Sequence, residues 1–262
     1  MTAGTIRQVA QAPFAIVYGS GREAGGGSNG EDGGVGASAR DDVADRAELE
    51  SLAVYLANLF VMTSDASPAV VPSRRVRLNA TCAEVRNERK ETKETKETKE
   101  TKDDDDDLID EWLEGVPGDG NLILVGGPLD NAATAEVAAY WASVGHAAAW
   151  TPSGMLQIGG CAVDGAGGSG ALILGPLPGG GLALVIDGDS RGLRDAIAAG
   201  EPTIPPMARS PFSNTLPDYV VTGPEFGAKG FGGLLAAGFL DYKWAATPAA
   251  TWLAQDCRPA TL

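Results

Sequence analysis

Histidine is the scarcest reactive residue in this chain: among 262 residues there is one, His146. A metal centre built from several imidazoles is therefore excluded. Cysteine is nearly as scarce, with Cys82, Cys161 and Cys257 far apart and no Cys-x-x-Cys pair. That spacing argues against a zinc ribbon and a disulfide framework, and it predicts buried or incidental thiols. Lysine is confined: five of seven lie between Lys90 and Lys102, which leaves Lys229 and Lys243 for the rest of the chain. Positive charge is short overall, because 20 Lys and Arg oppose 35 Asp and Glu for a net charge of −15. Unaided binding to nucleic acid or an anionic membrane is argued against, since both demand a basic footprint. No apolar run approaches the roughly 18 residues of a membrane span. Met1–Arg7 lacks the apolar stretch of a signal peptide, so secretion would require a longer precursor. No Gly-x4-Gly-Lys-[Ser/Thr] motif is present, which excludes a P-loop nucleotide hydrolase.

What is present is globular in balance, with 44% hydrophobic and 21% charged residues, enough to build a core of about 200 residues. The charge is uneven. Lys90–Asp107 repeats Lys-Glu-Thr and ends in five aspartates, carrying a net −4 and leaving −11 elsewhere. A three-residue period builds no apolar face on a helix or a strand, so residues 87–110 are expected to be a disordered charged insertion. Residues 19–39, rich in Gly, Ser and acids, are expected to form a mobile loop, and residues 246–262 a loose tail.

Between these segments, short apolar runs alternate with stretches of helical period, which predicts one α/β domain over residues 1–262. Phe14–Tyr18, Leu122–Val125 and Leu182–Ile186 are continuously apolar, as strands buried on both faces are. Asp41–Met62 reads as a helix through Leu49, Leu52, Ala53, Leu56, Leu59 and Phe60. A second helix starts after Asn131 with a stripe of Val137, Tyr140, Trp141 and Val144, and a third follows Asp189 with Leu193, Ala196 and Ile197. Val76–Leu78 is expected as a short edge strand, Gly179–Gly181 as a hairpin linker, and Tyr219–Thr222 and Leu234–Leu240 as strands, with helix open for the last.

Catalytic signatures are weak. Gly26-Gly27-Ser28-Asn29-Gly30 matches the nucleophile-elbow pattern, but Ser28 does not directly follow a strand. His146, expected as a partly exposed residue beyond a helix end, is the only base for a triad. No catalytic residue, metal ligand or cofactor is assigned. The small-residue turns after strands are weak ligand-binding candidates, because open parallel sheets bind ligands at the strands' carboxyl ends. They comprise Gly126, Gly127 and Asn131, with Asp187 and Asp189 after a later strand and Lys229 in a glycine-rich loop. Each has a plainer use as cap, turn or surface charge.

The order of segments carries a resemblance. Ala12–Gly19, Asn121–Pro128 with Asn131, Leu182–Gly188, Pro217–Pro224 with Lys229 and Gly230, and Leu234–Phe239 together resemble the C-terminal region of large secreted α/β-hydrolase-type esterase or peptidase-like proteins. The resemblance implies a three-layer, mostly parallel, flavodoxin-like sheet, with catalysis in a separate hydrolase domain in cis or in trans. No catalytic residue carries over, and the chain reads as a piece of a longer protein. Three functions are expected: a non-catalytic packing module, a small-molecule or anion-binding module using the strand-end loops, and an interaction protein with an acidic docking segment.

Overall fold

A strand covered on both faces must be apolar at successive positions, and four such strands lie side by side in the computed structural model. It describes residues 6–20, 38–64, 66–76, 78, 120–163, 167–201, 217–255 and 257–259. β1 (Phe14–Tyr18) pairs in parallel with β2 (Ala69–Pro72) on one side and with β3 (Asn121–Val125) on the other. β3 pairs in parallel with β8 (Leu182–Gly188). Beyond β8 the pairing reverses: β7 (Gly170–Pro176), β9 (Tyr219–Thr222), β10 (Leu234–Leu240) and β11 (Ala246–Leu253) pair antiparallel in succession. The eight strands run β11-β10-β9-β7-β8-β3-β1-β2. The chain is thus mixed α/β, with a parallel block joined to an antiparallel flank; β7 enters by a hairpin, as the Gly179–Gly181 linker implies.

Alternate residues of the sheet face two cores. Ile16, Ile123, Val125, Leu184, Ile186, Leu172 and Val220 pack against α1 (Ser38–Ser64) and α3 (Ser190–Gly200) through Leu49, Leu56, Phe60, Leu193 and Ile197. Ala15, Val17, Leu122, Leu124, Val185, Ile173 and Tyr219 pack against α2 (Ala132–Val144) through Val137 and Trp141. The same core includes Leu156, Ile158, Cys161 and Val163 of a second sheet, ordered β12-β6-β5-β4. Its strands are β4 (Ala149–Trp150), β5 (Leu156–Ile158), β6 (Cys161–Val163) and β12 (Arg258–Pro259).

Several expectations are corrected. The edge strand is Ala69–Pro72, not Val76–Leu78: Val76 closes a 3-10 turn by bonding Ser73, and the Leu78 N–H donates to Glu136. Residues 246–253 and 258–259 are strands rather than a loose tail, because β11 finds a partner in β10 and β12 one in β6. α1 begins at Ser38, inside the segment expected as loop. Val144 lies off the buried stripe of α2 and is exposed, while Ala133 and Thr134 are covered. The cysteines are not all thiols: Cys161 and Cys257 form a disulfide across 96 residues, with Cα atoms 5.5 Å apart, since β6 and β12 are neighbours. The Lys-Glu-Thr insertion, Ser28, Cys82 and residues 202–216 lie outside the described residues.

Candidate functional site

The carboxyl ends of β2, β1, β3 and β8 share one edge of the sheet, and the turns leaving them hold five of the six candidate residues. Asn131 is fully covered and uses all its valence. Its Oδ1 accepts from Ala133 N and Thr134 N at 3.0 and 3.2 Å, capping α2. Its Nδ2 donates to Val17 O at 3.1 Å and Val125 O at 3.0 Å, tying the ends of β1 and β3 together. The expected N-cap is therefore in place, and the donors that would have met an anion there are occupied. Gly126 takes φ +105°, a conformation that favours glycine, and Thr134 Oγ1 donates to its carbonyl at 2.8 Å.

Gly127 is required for a different reason. A Cβ there would fall 2.2 Å from Asp187 Oδ1, so the β3 turn and the β8 carboxylate are in direct contact. Asp187 accepts from the Trp150 indole at 2.6 Å and from Gly188 N at 2.8 Å. Burial pushes this carboxyl above its ordinary range, against both hydrogen bonds. Asp189 caps α3 through Gly192 N at 2.8 Å and reaches Gly168 N at 2.8 Å with its other oxygen. Lys229 is not part of this group: it forms an exposed i,i+4 ion pair with Glu225 beyond β9. The structure thus joins Gly126, Gly127, Asn131 and Asp187, and commits Asn131 and Asp189 to holding helices. Among the described residues no three His, Cys, Asp or Glu side chains gather as metal ligands, and no helix is long and apolar enough to cross a membrane.

His146 departs from expectation: it is 7% exposed. Its ring stacks on Trp141 at 4.1 Å, and Trp244 lies 6.0 Å away on centroids. Nδ1 accepts from Ala148 N at 3.0 Å, so Nε2 carries the proton and donates to Leu174 O at 3.1 Å. Burial lowers its pKa to about 4. A neutral imidazole with both nitrogens bonded to backbone fastens the α2–β4 loop onto β7.

Sequence reasoning missed Asp218. It has no solvent exposure; Oδ2 accepts from Leu240 N at 2.8 Å, and among the described residues Oδ1 has no hydrogen-bond partner. Burial raises its pKa to about 6. An aspartate directly before the apolar Tyr219–Thr222 run is the only signal in the sequence, and it also fits an exposed strand start. Sequence reasoning also missed a groove of about 470 Å³ lined by Gly145, Ala147, Gly159, Ala246, Thr251 and Leu253, among others.

Compared with protein-family models, curated proteins and solved structures, the chain finds no match in any of the three.

Proposed function

We propose that this chain is a flavodoxin-like, non-catalytic module that packs against a hydrolase-type catalytic domain, in cis or in trans. The observation that carries this reading is the uncovered aromatic surface of the antiparallel flank. Trp252 stands opposite Ala237 in the β10–β11 ladder, and Phe239 lies two residues further along the same face. Trp252 is 50% and Phe239 39% exposed, and Tyr242 at the hairpin turn is 71% exposed. Among the described residues neither Phe239 nor Trp252 belongs to the core that α1 and α3 cover. Large aromatic side chains left open together mark a surface that packs against another protein. The parallel strand order β2-β1-β3-β8, with helices on both faces, supports the flavodoxin-like description, while β7 between β8 and β9 is a departure from it.

The purified chain should hydrolyse p-nitrophenyl acetate no faster than buffer. Hydrolysis that vanishes in His146→Ala would overturn the non-catalytic reading. The packing face is tested with Phe239→Lys combined with Trp252→Lys, which should cut binding of a fluorescent apolar dye several-fold at unchanged circular dichroism. Undiminished dye binding removes this face from the proposal.

A further inference from the structure

A helix that lies on a core keeps polar and charged side chains on its water side, and α3 follows that rule with Arg191 and Arg194. The second half of α1 does not: residues 51–64 contain no charged side chain. Its inward side, Ala53, Leu56, Ala57 and Phe60, lies in the core against the sheet. Its outward side is Ser51, Val54, Tyr55, Asn58, Val61 and Met62, and all six are exposed. Val54, Tyr55 and Val61 are 45%, 44% and 48% exposed, and Met62 is 83% exposed. A helix that is apolar on both sides calls for a cover on both.

The order of these residues along the helix decides what kind of cover fits. Asn58 stands at the centre: Val54 and Met62 lie four residues either side of it, and Tyr55 and Val61 three. Residues three and four apart share one helix face. A two-fold axis perpendicular to the helix at Asn58 therefore sets Val54 against Met62 of a second α1, Tyr55 against Val61, and Asn58 against its own copy. The face is complementary to itself, which is what a closed two-fold contact requires. The Asn58 amide offers both a donor and an acceptor, so two copies can bond each other, and one such amide in an apolar helix seam fixes the register. Tyr55 is held at the rim, where its hydroxyl donates to Glu201 Oε1 at 2.6 Å.

We propose that the outward face of α1 is a self-association surface, on which α1 of a second copy packs antiparallel about a two-fold axis at Asn58. Charge, as well as symmetry, selects a second copy as the occupant. At a net charge of −15 two copies repel wherever acidic surface meets acidic surface, and an identical chain has no opposite charge to offer. A charge-free face is where they can meet. A different partner of so acidic a protein would be steered by charge complementarity, and this face supplies none. The contact runs along about 20 Å of helix. It is separate from the aromatic face of the antiparallel flank and stands or falls without it.

The test is sedimentation velocity of the full chain, which should report twice the mass of one chain. Asn58→Asp and Asn58→Lys, exposed changes that leave the core untouched, should each weaken association at least about a hundredfold, because like charges then meet at the axis. Mixed one to one, the two variants should recover the dimer, since opposite charges now meet, and that recovery requires residue 58 to face its own copy. Phe239→Lys combined with Trp252→Lys, the control on the other face, should keep the dimer mass. A parent chain that stays monomeric at about 100 μM would overturn the proposal. Slow peroxide oxidation of Met62 in that monomer would give the face to another part of the same chain. A dimer that survives Asn58→Asp, or single variants whose mixture stays monomeric, would also overturn it.

Discussion

The two halves of the main sheet solve the same burial problem differently. In β1, β3 and β8 nearly every residue is covered, because α1 and α3 lie on one face and α2 with the small sheet on the other. In β10 and β11 one face is packed through Ala236 and Leu240 while Phe239 and Trp252 stay open. The parallel half is held by apolar packing and by caps such as Asn131. The antiparallel flank is held at specific polar points instead: Tyr219 Oη to Thr251 Oγ1 at 3.0 Å, Leu240 N to Asp218, and His146 to Leu174. Both halves are tightly built, but the first resists change through volume and the second through a few titratable or hydrogen-bonding groups.

The sharpest way to break the contrast between covered and open surface is to make one substitution at a covered and at an open tryptophan. Trp141 is fully buried against β7, stacked on His146, and its Nε1 donates to Pro176 O at 2.8 Å. Trp141→Ala should cost about 3–5 kcal/mol in urea unfolding, whereas Trp252→Ala should cost no more than about 1 kcal/mol. Equal costs would abolish the distinction.

Next in size is the disulfide, which closes a long loop and fastens β12 to β6. Reduction, or the Cys161→Ser and Cys257→Ser pair, should lower stability by about 2–4 kcal/mol. Hydrogen exchange should speed up first in β5 and β6. Loss of protection in β1 and β3 ahead of them would show that the parallel block depends on the clasp.

Comparable in size, and opposite in sign to each other, are two titrations in and beside the flank. His146 has a folded pKa of about 4, below its unfolded value, so its contribution is present above pH 6.5 and is lost as pH falls towards 4. The full loss is on the order of 3 kcal/mol. Asp218 has a folded pKa of about 6, above its unfolded value, so its contribution is present below pH 3.8 and is lost as pH rises through 6. Asp218→Asn cannot ionise, and should be more stable than the parent by roughly 2–3 kcal/mol at pH 8, a lead that nearly vanishes by pH 4. Unfolding curves that keep the parent's pH dependence after this substitution would remove Asp218 from the account.

The smallest effect belongs to Lys229. Its ion pair with Glu225 leaves both side chains more than half exposed, and Lys229→Ala should change stability by less than about 0.5 kcal/mol. A larger loss would mean that the turn after β9 carries more of the flank than its exposure implies.

Legibility followed the same division. Phe14–Tyr18, Leu122–Val125 and Leu182–Ile186 are readable because burial on both faces writes an unbroken apolar run, and Asn131 is readable as a cap because its place before a helical stripe admits few other uses. Residues 246–253 were not, since Ala-Thr-Pro-Ala-Ala-Thr-Trp-Leu has neither strand alternation nor a helical stripe, and β11 exists because β10 offers it an edge. His146 beside Gly145 reads as a surface residue until Trp141 and Trp244 close over it. The candidate residues other than Lys229 lie at or just beyond the carboxyl ends of β3 and β8, but their occupation as caps and contacts depends on neighbours far away in sequence.

The sequence by itself determined the α/β class, the buried parallel strands, the helix starts at Asn131 and Asp189, and the shortage of histidine, lysine and positive charge. Those are properties of local period and composition, which the chain carries wherever it folds. Only the tertiary structure decided the reversal of direction beyond β8, the pairing of Cys161 with Cys257, the neutral state of His146, the covering of Asp218, and the meeting of Ser20 with Ser73 and Arg74. The last four depend on residues 22 to 96 positions apart becoming neighbours. Burial and electrostatic environment are set by such neighbours, and no local pattern records them.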